Sequence, residues 1–251
     1  MDLDAVHPPF PLNTHMKILS RNHPIVLVIE HDFDTRLILR STLLTMDYRF
    51  QEAPTAAEAL AQMEMLPPDL IVMALELPDM SGIDFIRQLR LREHRLPILA
   101  LSVDTEQTHK LDAFDAGADD FLNKPFVPGE LLARMKVALR RTLPGSAGAK
   151  ERLFRSNDIE VDFNSRQVRV AGRDVHLTPT EYNLLRILIR HANRVLSYHC
   201  LLREIWGNHK KCDTQYLRVY MGQLRKKLEY DPARPRFLHN EPGIGYRFQT
   251  G

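Results

Sequence analysis

The chain of 251 residues has few of the features that mark secreted, membrane-bound or metal-binding proteins. It contains two cysteines, Cys200 and Cys212, which show neither the paired spacing of a zinc site nor a disulfide framework. No apolar run is long enough to span a bilayer, and the first residues lack a charged start followed by an apolar core. We therefore expect a cytoplasmic protein with reduced cysteines that contacts no membrane and requires no metal ion or cofactor.

Acidic and basic residues are unevenly divided along the chain. Residues 151–251 contain 18 Lys and Arg against 11 Asp and Glu, a formal charge of +7. Residues 1–150 hold the remaining 16 Lys and Arg and 21 Asp and Glu, a formal charge of −5. Each half is long enough to bury a core of its own. A basic half beside an acidic one predicts a polyanionic partner for the first and a different role for the second.

Residues 24–141 show the pattern of an α/β domain with a doubly wound parallel sheet. Short apolar runs, typical of buried parallel strands, alternate with amphipathic helical stretches. The predicted strands are 25–30, 50–53, 69–75, 97–102 and 119–124. The predicted helices are 34–46, 55–66, 82–92, 105–116 and 128–141. Five strand–helix units in succession imply a (βα)5 domain.

The segments on either side of this domain lack its alternation of apolar strands and amphipathic helices. Residues 1–23 are rich in proline and show no sustained periodicity, so we expect a disordered extension, or a mis-assigned start if Met16 begins the chain. Small residues at 142–152 predict a flexible linker. Beyond it, the pattern of 153–251 predicts an α+β domain. Its predicted elements are strands 159–163 and 167–172, helices 178–192, 197–206 and 213–230, and a hairpin at 237–248.

The helix predicted at 213–230 has two distinct faces. Its core stripe consists of Leu217, Met221, Leu224 and Leu228. The opposite face carries Gln215, Arg218, Val219, Gly222, Arg225 and Lys226, with Gln223 and Lys227 at its margin. Such a face suits the major groove of DNA, where arginine can donate two hydrogen bonds to guanine and glutamine can pair with adenine. A solvated basic face has the same composition, so the helix alone does not decide between the two interpretations.

The segments LTPTEYNLL, VLSYHCLLREIWG, YLRVYMGQLRKKLE and GIGYRF follow one another in the C-terminal half. Their order and spacing resemble the winged-helix effector domain of OmpR/PhoB-family response regulators, over essentially all of 153–249. The resemblance implies that 213–230 is the recognition helix and that 237–248 is the wing. The DNA-binding residues that we predict from the helix face and the resemblance are Thr178, Thr180, Trp206, Gln215, Arg218, Val219, Gly222, Gln223, Arg225, Lys226 and Arg247.

The start of the helix at 178 can be predicted in more detail. Thr178 and Glu181 have the spacing of a capping box, and Pro179 suits the first helical position. A plain helix cap accounts for these residues fully. The exposed amides at such a helix end can also hold a DNA phosphate.

The segments LELPDMSGIDFI (75–86) and GADDFLNKPF (117–126) resemble the receiver domain, the phosphorylatable half of response regulators. The resemblance implies an acceptor aspartate at the end of the third strand and acidic residues after the first strand that hold Mg²⁺. In this chain the acceptor position is Ala74, and the acidic pair is Glu30 followed by His31. Ser102, Phe121 and Lys124 match the hydroxyl, the switch aromatic and the lysine of the pattern.

These departures predict a degenerate receiver that does not use aspartyl phosphorylation. Alanine cannot accept a phosphoryl group, and histidine is a poor Mg²⁺ ligand. We expect Lys124, deprived of its usual partner, to pair with Glu30. Two alternatives stay open. In the first, a displaced carboxylate (Asp32, Glu76 and Asp79 are near in sequence) accepts the phosphoryl group. In the second, a small molecule or a partner protein binds the receiver and controls the DNA-binding domain.

The receiver resemblance also implies a dimer. Five charged residues match positions that form contacts across a symmetric dimer in this family: Lys110, Asp119, Asp120, Glu130 and Arg134. Solvated surface charges would give the same residues, because exposed ion pairs contribute little individually. We expect a homodimeric transcription regulator, not an enzyme, that binds direct repeats in double-stranded promoter DNA, with RNA polymerase as a further candidate partner.

Overall fold

The N-terminal half is a doubly wound α/β domain in the computed structural model, which describes residues 23–46, 48–104, 107–142, 153–207 and 213–251. Its parallel strands are β1 (Ile25–Ile29), β2 (Arg49–Ala53), β3 (Leu70–Ala74), β4 (Ile98–Ser102) and β5 (Asp120–Asn123). They lie in the order β2-β1-β3-β4-β5. Its helices are α1 (Phe33–Leu44), α2 (Ala56–Met65), α3 (Gly82–Arg92), α4 (Gln107–Ala116) and α5 (Pro128–Thr142). The predicted fold class is confirmed.

The strands of this sheet contribute side chains to two apolar layers, one on each face. In β1, Val26 and Val28 pack with α1 and α5, whereas Leu27 and Ile29 pack with α2, α3 and α4. Because successive side chains of a strand point to opposite faces, a run of apolar residues is what a doubly covered strand requires. The carboxyl ends of the parallel strands meet at one edge, where the predicted phosphorylation pocket belongs.

The C-terminal half is an α+β domain with two antiparallel sheets. The first sheet is formed by β6 (Leu153–Ser156), β7 (Ile159–Asp162), β8 (Gln167–Val170) and β9 (Arg173–Val175). The helices are α6 (Pro179–Arg190), α7 (Tyr198–Trp206) and α8 (Thr214–Leu228). The second sheet, in the order β10-β12-β11, is formed by β10 (Leu196–Ser197), β11 (Leu238–Glu241) and β12 (Gly245–Phe248). The winged-helix architecture is the predicted one.

Local details of this domain follow from particular residues. The predicted core stripe of α8 is confirmed, since Leu217, Met221, Leu224 and Leu228 are all buried. Strand β12 runs so close to β10 that a Cβ atom on Gly245 would lie 1.8 Å from the carbonyl oxygen of Leu196. Only glycine fits there, which fixes the base of the hairpin.

Some predictions fall outside the described residues, and some strands of the structure were not predicted. The predicted extension 1–23 and linker 142–152 lie outside the described residues, except for residues 23 and 142. Strands β6, β9 and β10, of four, three and two residues, were not predicted. In the described ranges, no helix combines the length and apolarity needed to cross a bilayer.

The two domains pack against each other. Helix α4 contacts α8, and α5 contacts α6. The apolar layer on one face of the receiver sheet is continuous with the core of the C-terminal domain. The surface between them therefore contains an apolar contact as well as the hydrogen bonds described below.

Candidate nucleic-acid interface and predicted phosphorylation pocket

Part of the predicted reading face of α8 is open to solvent. Gln215, Arg218 and Lys226 are exposed, and Val219 and Gly222 are partly exposed. A Cβ atom on Gly222 would meet nothing within 4 Å. A groove of DNA can therefore approach this surface closely, as direct readout of base edges requires.

Three other predicted DNA-binding side chains already have partners within the protein. The Nε and Nη2 atoms of Arg225 donate hydrogen bonds of 3.0 and 2.7 Å to the carbonyl oxygen of Leu238, which ties α8 to β11. Gln223 donates to the side chain and the carbonyl oxygen of Asp115 on α4. Arg247 of the hairpin pairs with Glu241 at 2.7 Å. These residues would have to exchange or share their partners in order to contact DNA.

The start of α6 is built as the sequence predicts. The Thr178 hydroxyl accepts a hydrogen bond from the Glu181 amide, and the Glu181 carboxylate accepts one from the Thr178 amide at 2.8 Å. The buried Glu181 carboxylate also pairs with Lys227 of α8 at 2.7 Å. The capping box is therefore confirmed, and Lys227 at the margin of the reading face is engaged with α6.

Two predicted phosphate contacts, Thr180 and Trp206, lie against the receiver domain instead of at the surface. The Thr180 amide donates to the Asp119 carboxylate at 2.8 Å, and its hydroxyl donates to the Asp119 carbonyl oxygen at 3.2 Å. The Trp206 indole Nε1–H donates to the same carbonyl oxygen at 3.3 Å. Both side chains are buried. They can reach a DNA phosphate only if the domains separate.

Asp119 is the centre of this contact. It is fully buried, and it pairs with Arg90 of α3 at 2.8 Å and accepts a hydrogen bond from the Ile98 amide at 3.0 Å. A buried carboxylate is stable only when charges and donors surround it. Here the receiver supplies the charge partner and the C-terminal domain supplies one of the donors.

Aromatic residues of α8 complete the contact with α4. The Tyr216 and Tyr220 rings lie 4.7 and 5.6 Å from that of Phe114, measured between centroids. The Tyr220 hydroxyl donates to the carbonyl oxygen of Ala118. This second apolar face of α8 was not among the predicted features. The signal that could have shown it is the four-residue spacing of the two tyrosines beside the core stripe.

The five predicted dimer residues are divided between the domain contact and the receiver itself. Arg134 pairs with Asp120 and Glu130, at 2.8 Å to each. Burial by itself would lower the pKa of Arg134, but these carboxylates outweigh it and raise the pKa, so the guanidinium stays charged. The Lys110 ammonium lies 5.5 Å from the Phe121 ring centroid. Asp119 is covered by the C-terminal domain, so a second copy cannot reach it in this arrangement.

The predicted phosphorylation pocket contains an ion pair. Lys124 Nζ lies 2.7 Å from Glu30 Oε2, and both side chains are almost completely buried, which confirms the predicted pairing. Ala74 is buried at the end of β3. The His31 side chain is half-exposed, and its Nδ1 lies 3.5 Å from Glu30. The ammonium that would face a phosphoryl group is therefore already neutralised.

The three carboxylates near this pocket, Asp32, Asp79 and Glu76, make different contacts. Asp32 caps α1 and Asp79 caps α2, and the hydrogen bonds that they accept lower the pKa of each. Glu76 instead faces the pocket, where it accepts a hydrogen bond from the Ser102 hydroxyl and lies 3.9 Å from Lys124 Nζ. Of the three, Glu76 is the one that lies beside Ser102 and Lys124, which match the hydroxyl and the lysine of the receiver pattern. In the described parts of the chain, no group of three or more His, Cys, Asp or Glu residues is placed to hold a metal ion.

Comparison with known proteins agrees with both halves of this description. Residues 26–136 match the response regulator receiver domain, and residues 172–248 match the C-terminal domain of transcriptional regulatory proteins. The chain is 44% identical to the KDP operon transcriptional regulatory protein KdpE of Escherichia coli, over 89% of this chain and 98% of that one. It is 40% identical to KdpE of Mycobacterium tuberculosis, over 90% and 99% of the two chains.

The chain belongs to the OmpR/PhoB-type response regulators. It is also 38% identical to the response regulator MprA of Mycobacterium bovis, over 88% of this chain and 95% of that one. A solved structure of a RitR mutant has the same fold, with a TM-score of 0.74 and 24% identity over 91% of this chain and all of that one. As an OmpR/PhoB-type response regulator, the protein is a DNA-binding transcription regulator.

Proposed function

We propose that this response regulator binds specific DNA as a dimer without being phosphorylated on an aspartate. The observation that carries the proposal is Ala74 at the acceptor position, with His31 in place of a second Mg²⁺-binding carboxylate. In-line phosphoryl transfer requires the acceptor oxygen to lie beside the metal ion. A buried methyl group supplies no such oxygen. The Lys124–Glu30 pair supports the proposal, since it neutralises the ammonium internally.

The reading face of α8 is the proposed site of base recognition. Gln215, Arg218 and Lys226 are accessible, whereas Thr180, Trp206 and Gln223 would join the interface after the domains separate. The proposed dimer forms through α4, β5 and α5, and its targets are direct repeats in promoter DNA. RNA polymerase is the proposed further partner, and the cytoplasm the proposed location.

A second candidate function rests on Glu76. This carboxylate contacts Ser102 and lies near Lys124, so a phosphoryl group on Glu76 would be close to the two groups that normally engage it. In that case the protein would respond to phosphorylation through a displaced acceptor. The loss of the second carboxylate at position 31 weighs against this candidate, because Mg²⁺ needs several oxygen ligands.

Phosphoryl donors distinguish the two candidates. The full chain is incubated with Mg²⁺ and acetyl phosphate, and in parallel with beryllofluoride. Intact mass, sedimentation, and affinity for DNA selected by the protein itself are then measured. We expect no adduct and unchanged dimerisation and DNA affinity. The double variant Ala74→Asp/His31→Asp restores both missing carboxylates and is the control for the assay.

A phosphoryl adduct on the unmodified chain, or a large gain in its DNA affinity, would contradict the proposal. If an adduct forms, Glu76→Gln identifies its position, because this change removes the displaced acceptor while leaving Asp32 and Asp79 intact.

A further inference from the structure

A cavity of about 660 Å³ opens beside the predicted phosphorylation pocket. It lies at the carboxyl edge of the receiver sheet, and its volume is in the range of small-molecule sites. Its lining residues are His31, Asp32, Thr35, Ile38, Glu76, Val103, Lys124, Pro125 and Phe126. All of them belong to the receiver, so the cavity does not depend on the position of the C-terminal domain.

The charges around this cavity favour a cation. Lys124 Nζ lies 2.7 Å from Glu30 and 3.9 Å from Glu76, so its single positive charge faces both carboxylates, and Asp32 adds a third negative charge to the lining. Asp32 accepts a hydrogen bond of 2.8 Å from the Thr35 amide at the start of α1. An anionic ligand would meet two carboxylates and an ammonium that is already paired.

Glu76 offers an unused acceptor. One of its carboxylate oxygens accepts a hydrogen bond from Ser102, while the other, Oε2, is buried, lies 3.9 Å from Lys124 Nζ and accepts no hydrogen bond from the described residues. A buried acceptor without a donor costs free energy, and a charged N–H donor would recover more of it than a neutral one. A ligand N–H group at this position would therefore be favoured.

The opposite wall of the cavity is apolar. It is formed by Ile38 of α1, Val103 after β4 and Phe126 after β5. Ile38 is 47% exposed and Val103 63% exposed, so hydrocarbon on this wall faces solvent. Burying it against an apolar ligand would be favourable. The wall thus selects a ligand with a hydrocarbon body.

We propose that this cavity is a binding site for an organic cation, with its ammonium or guanidinium group at Glu76 and Asp32 and its hydrocarbon body against Ile38, Val103 and Phe126. The proposal rests on the proposed loss of aspartyl phosphorylation, because a working receiver uses the same space for Mg²⁺ and the phosphoryl group. An inorganic divalent cation fits less well. It would leave the apolar wall uncovered, and no metal-ligating cluster of three is found in the described residues.

Three probes of equal chain length separate charge from hydrophobicity: hexylammonium, hexanol and hexanoate. Each is titrated into the full-length protein by calorimetry, without DNA or a phosphoryl donor. We expect hexylammonium to bind with a Kd on the order of a millimolar, as its few non-hydrogen atoms allow. We expect hexanol to bind about tenfold more weakly, and hexanoate not to bind.

Glu76→Gln tests the assignment of the cationic group. This change keeps the shape of the side chain and should abolish the preference for hexylammonium over hexanol. Asp84→Asn on α3 removes a carboxylate that is exposed, paired with Arg87 and outside the cavity, and should leave the preference unchanged. Val103→Ser alters an exposed wall residue, so it tests the wall without disturbing the core. It should weaken hexylammonium and hexanol by the same factor.

The proposal is overturned if hexanoate or hexanol binds as tightly as hexylammonium, or if the preference survives Glu76→Gln. It is also overturned if Mg²⁺ alone raises the melting temperature more than hexylammonium does, since that result would indicate an inorganic cation site. Because the titrations contain no phosphoryl donor, their failure would leave the acetyl phosphate result standing. Conversely, an adduct with acetyl phosphate would contradict the proposed function while the titrations still reported on the cavity.

Discussion

Arg218 and Arg225 lie on the same helix but have different surroundings. Arg218 is exposed on the reading face, whereas Arg225 donates two hydrogen bonds to the backbone of β11. The first can contact a base without disturbing the protein. The second holds the hairpin against α8, and it would have to share or exchange these bonds in order to contact DNA.

This difference predicts different effects of the two alanine variants. Arg218→Ala should weaken specific DNA binding by about 1–3 kcal/mol, the range for a base-contacting arginine. Its melting temperature should not change, because surface substitutions are usually neutral. Arg225→Ala should weaken DNA binding and also lower the free energy of unfolding, by roughly 1–3 kcal/mol.

DNA titration at fixed salt and denaturant unfolding check these expectations. If neither variant changes DNA affinity, helix α8 is not the recognition helix. If Arg225→Ala has unchanged stability, its bonds to Leu238 contribute nothing measurable.

Single residues were predicted well where chemistry is local to the sequence. The predicted pairing of Lys124 with Glu30 is confirmed, whereas the interpretation of Ala74 and His31 as lost carboxylates stays a prediction. The locations of Thr180 and Trp206 were not predictable in this way. Their hydrogen bonds go to Asp119, which lies 61 and 87 residues away and whose pairing depends on how two domains pack.

At the scale of elements, the loop between α3 and β4 contacts the loop before α6 through two histidines. The His94 and His176 rings lie 4.1 Å apart between centroids, with 31° between their planes. Burial lowers the pKa of His94, and the nearby His176 and Arg95 lower it further, with smaller effects from Arg90 and Lys227. Protonation of His94 would add a positive charge near Arg95, Arg90 and Lys227, which are already positively charged.

Acid should therefore weaken the contact between the domains. The pKa of His94 is below its ordinary value of 6.5 in the docked arrangement, so the separated arrangement binds the proton more tightly. Well above pH 6.5 His94 is neutral in both arrangements and docking is unaffected. As the pH falls through 6.5, the separated arrangement takes up the proton first and gains population until His94 is protonated in both.

Trp206, the single tryptophan of the chain, reports this change because its indole is buried at the contact. Its emission should shift to the red between about pH 7.5 and pH 5.5, as solvent reaches the ring. His94→Gln cannot take up the proton and should show a smaller shift. His191→Gln, at the exposed end of α6, should behave like the unmodified chain. An equal shift in His94→Gln would exclude His94 as the origin.

The elements themselves were predictable where they are long and periodic. All eight helices of the described residues overlap predicted ones, and each has nine residues or more. Strands β6, β9 and β10 were not predicted, and backbone pairing with their neighbours fixes them. The partner of α4 could not be predicted from periodicity, which indicates a buried face but not what covers it.

At the scale of the whole molecule, one interface covers two surfaces that the proposed function needs. The contact covers Asp119 of the predicted dimer surface, and it engages Thr180, Trp206 and Gln223 of the predicted DNA surface. Docking of the domains and the proposed dimeric DNA complex therefore compete for the same residues. A change that weakens docking should strengthen DNA binding.

Asp115→Ala tests this competition from the receiver side. Asp115 is exposed on α4 and accepts hydrogen bonds from Gln223. Its loss should raise DNA affinity by about twofold to tenfold, the equivalent of one hydrogen bond. Asp112→Ala removes the same charge from the same helix and controls for a general electrostatic effect. An affinity gain that is equal in both variants, or absent in Asp115→Ala, would contradict the competition.

Ala74 has a further consequence for timing. An acyl phosphate hydrolyses, so a phosphorylated receiver returns to its resting state at the rate of this hydrolysis once its kinase stops. Under the proposed function there is no such intermediate to decay in this chain. Its output would then follow the concentration of the protein and of whatever binds it, and would end only by dilution, degradation or release of that ligand.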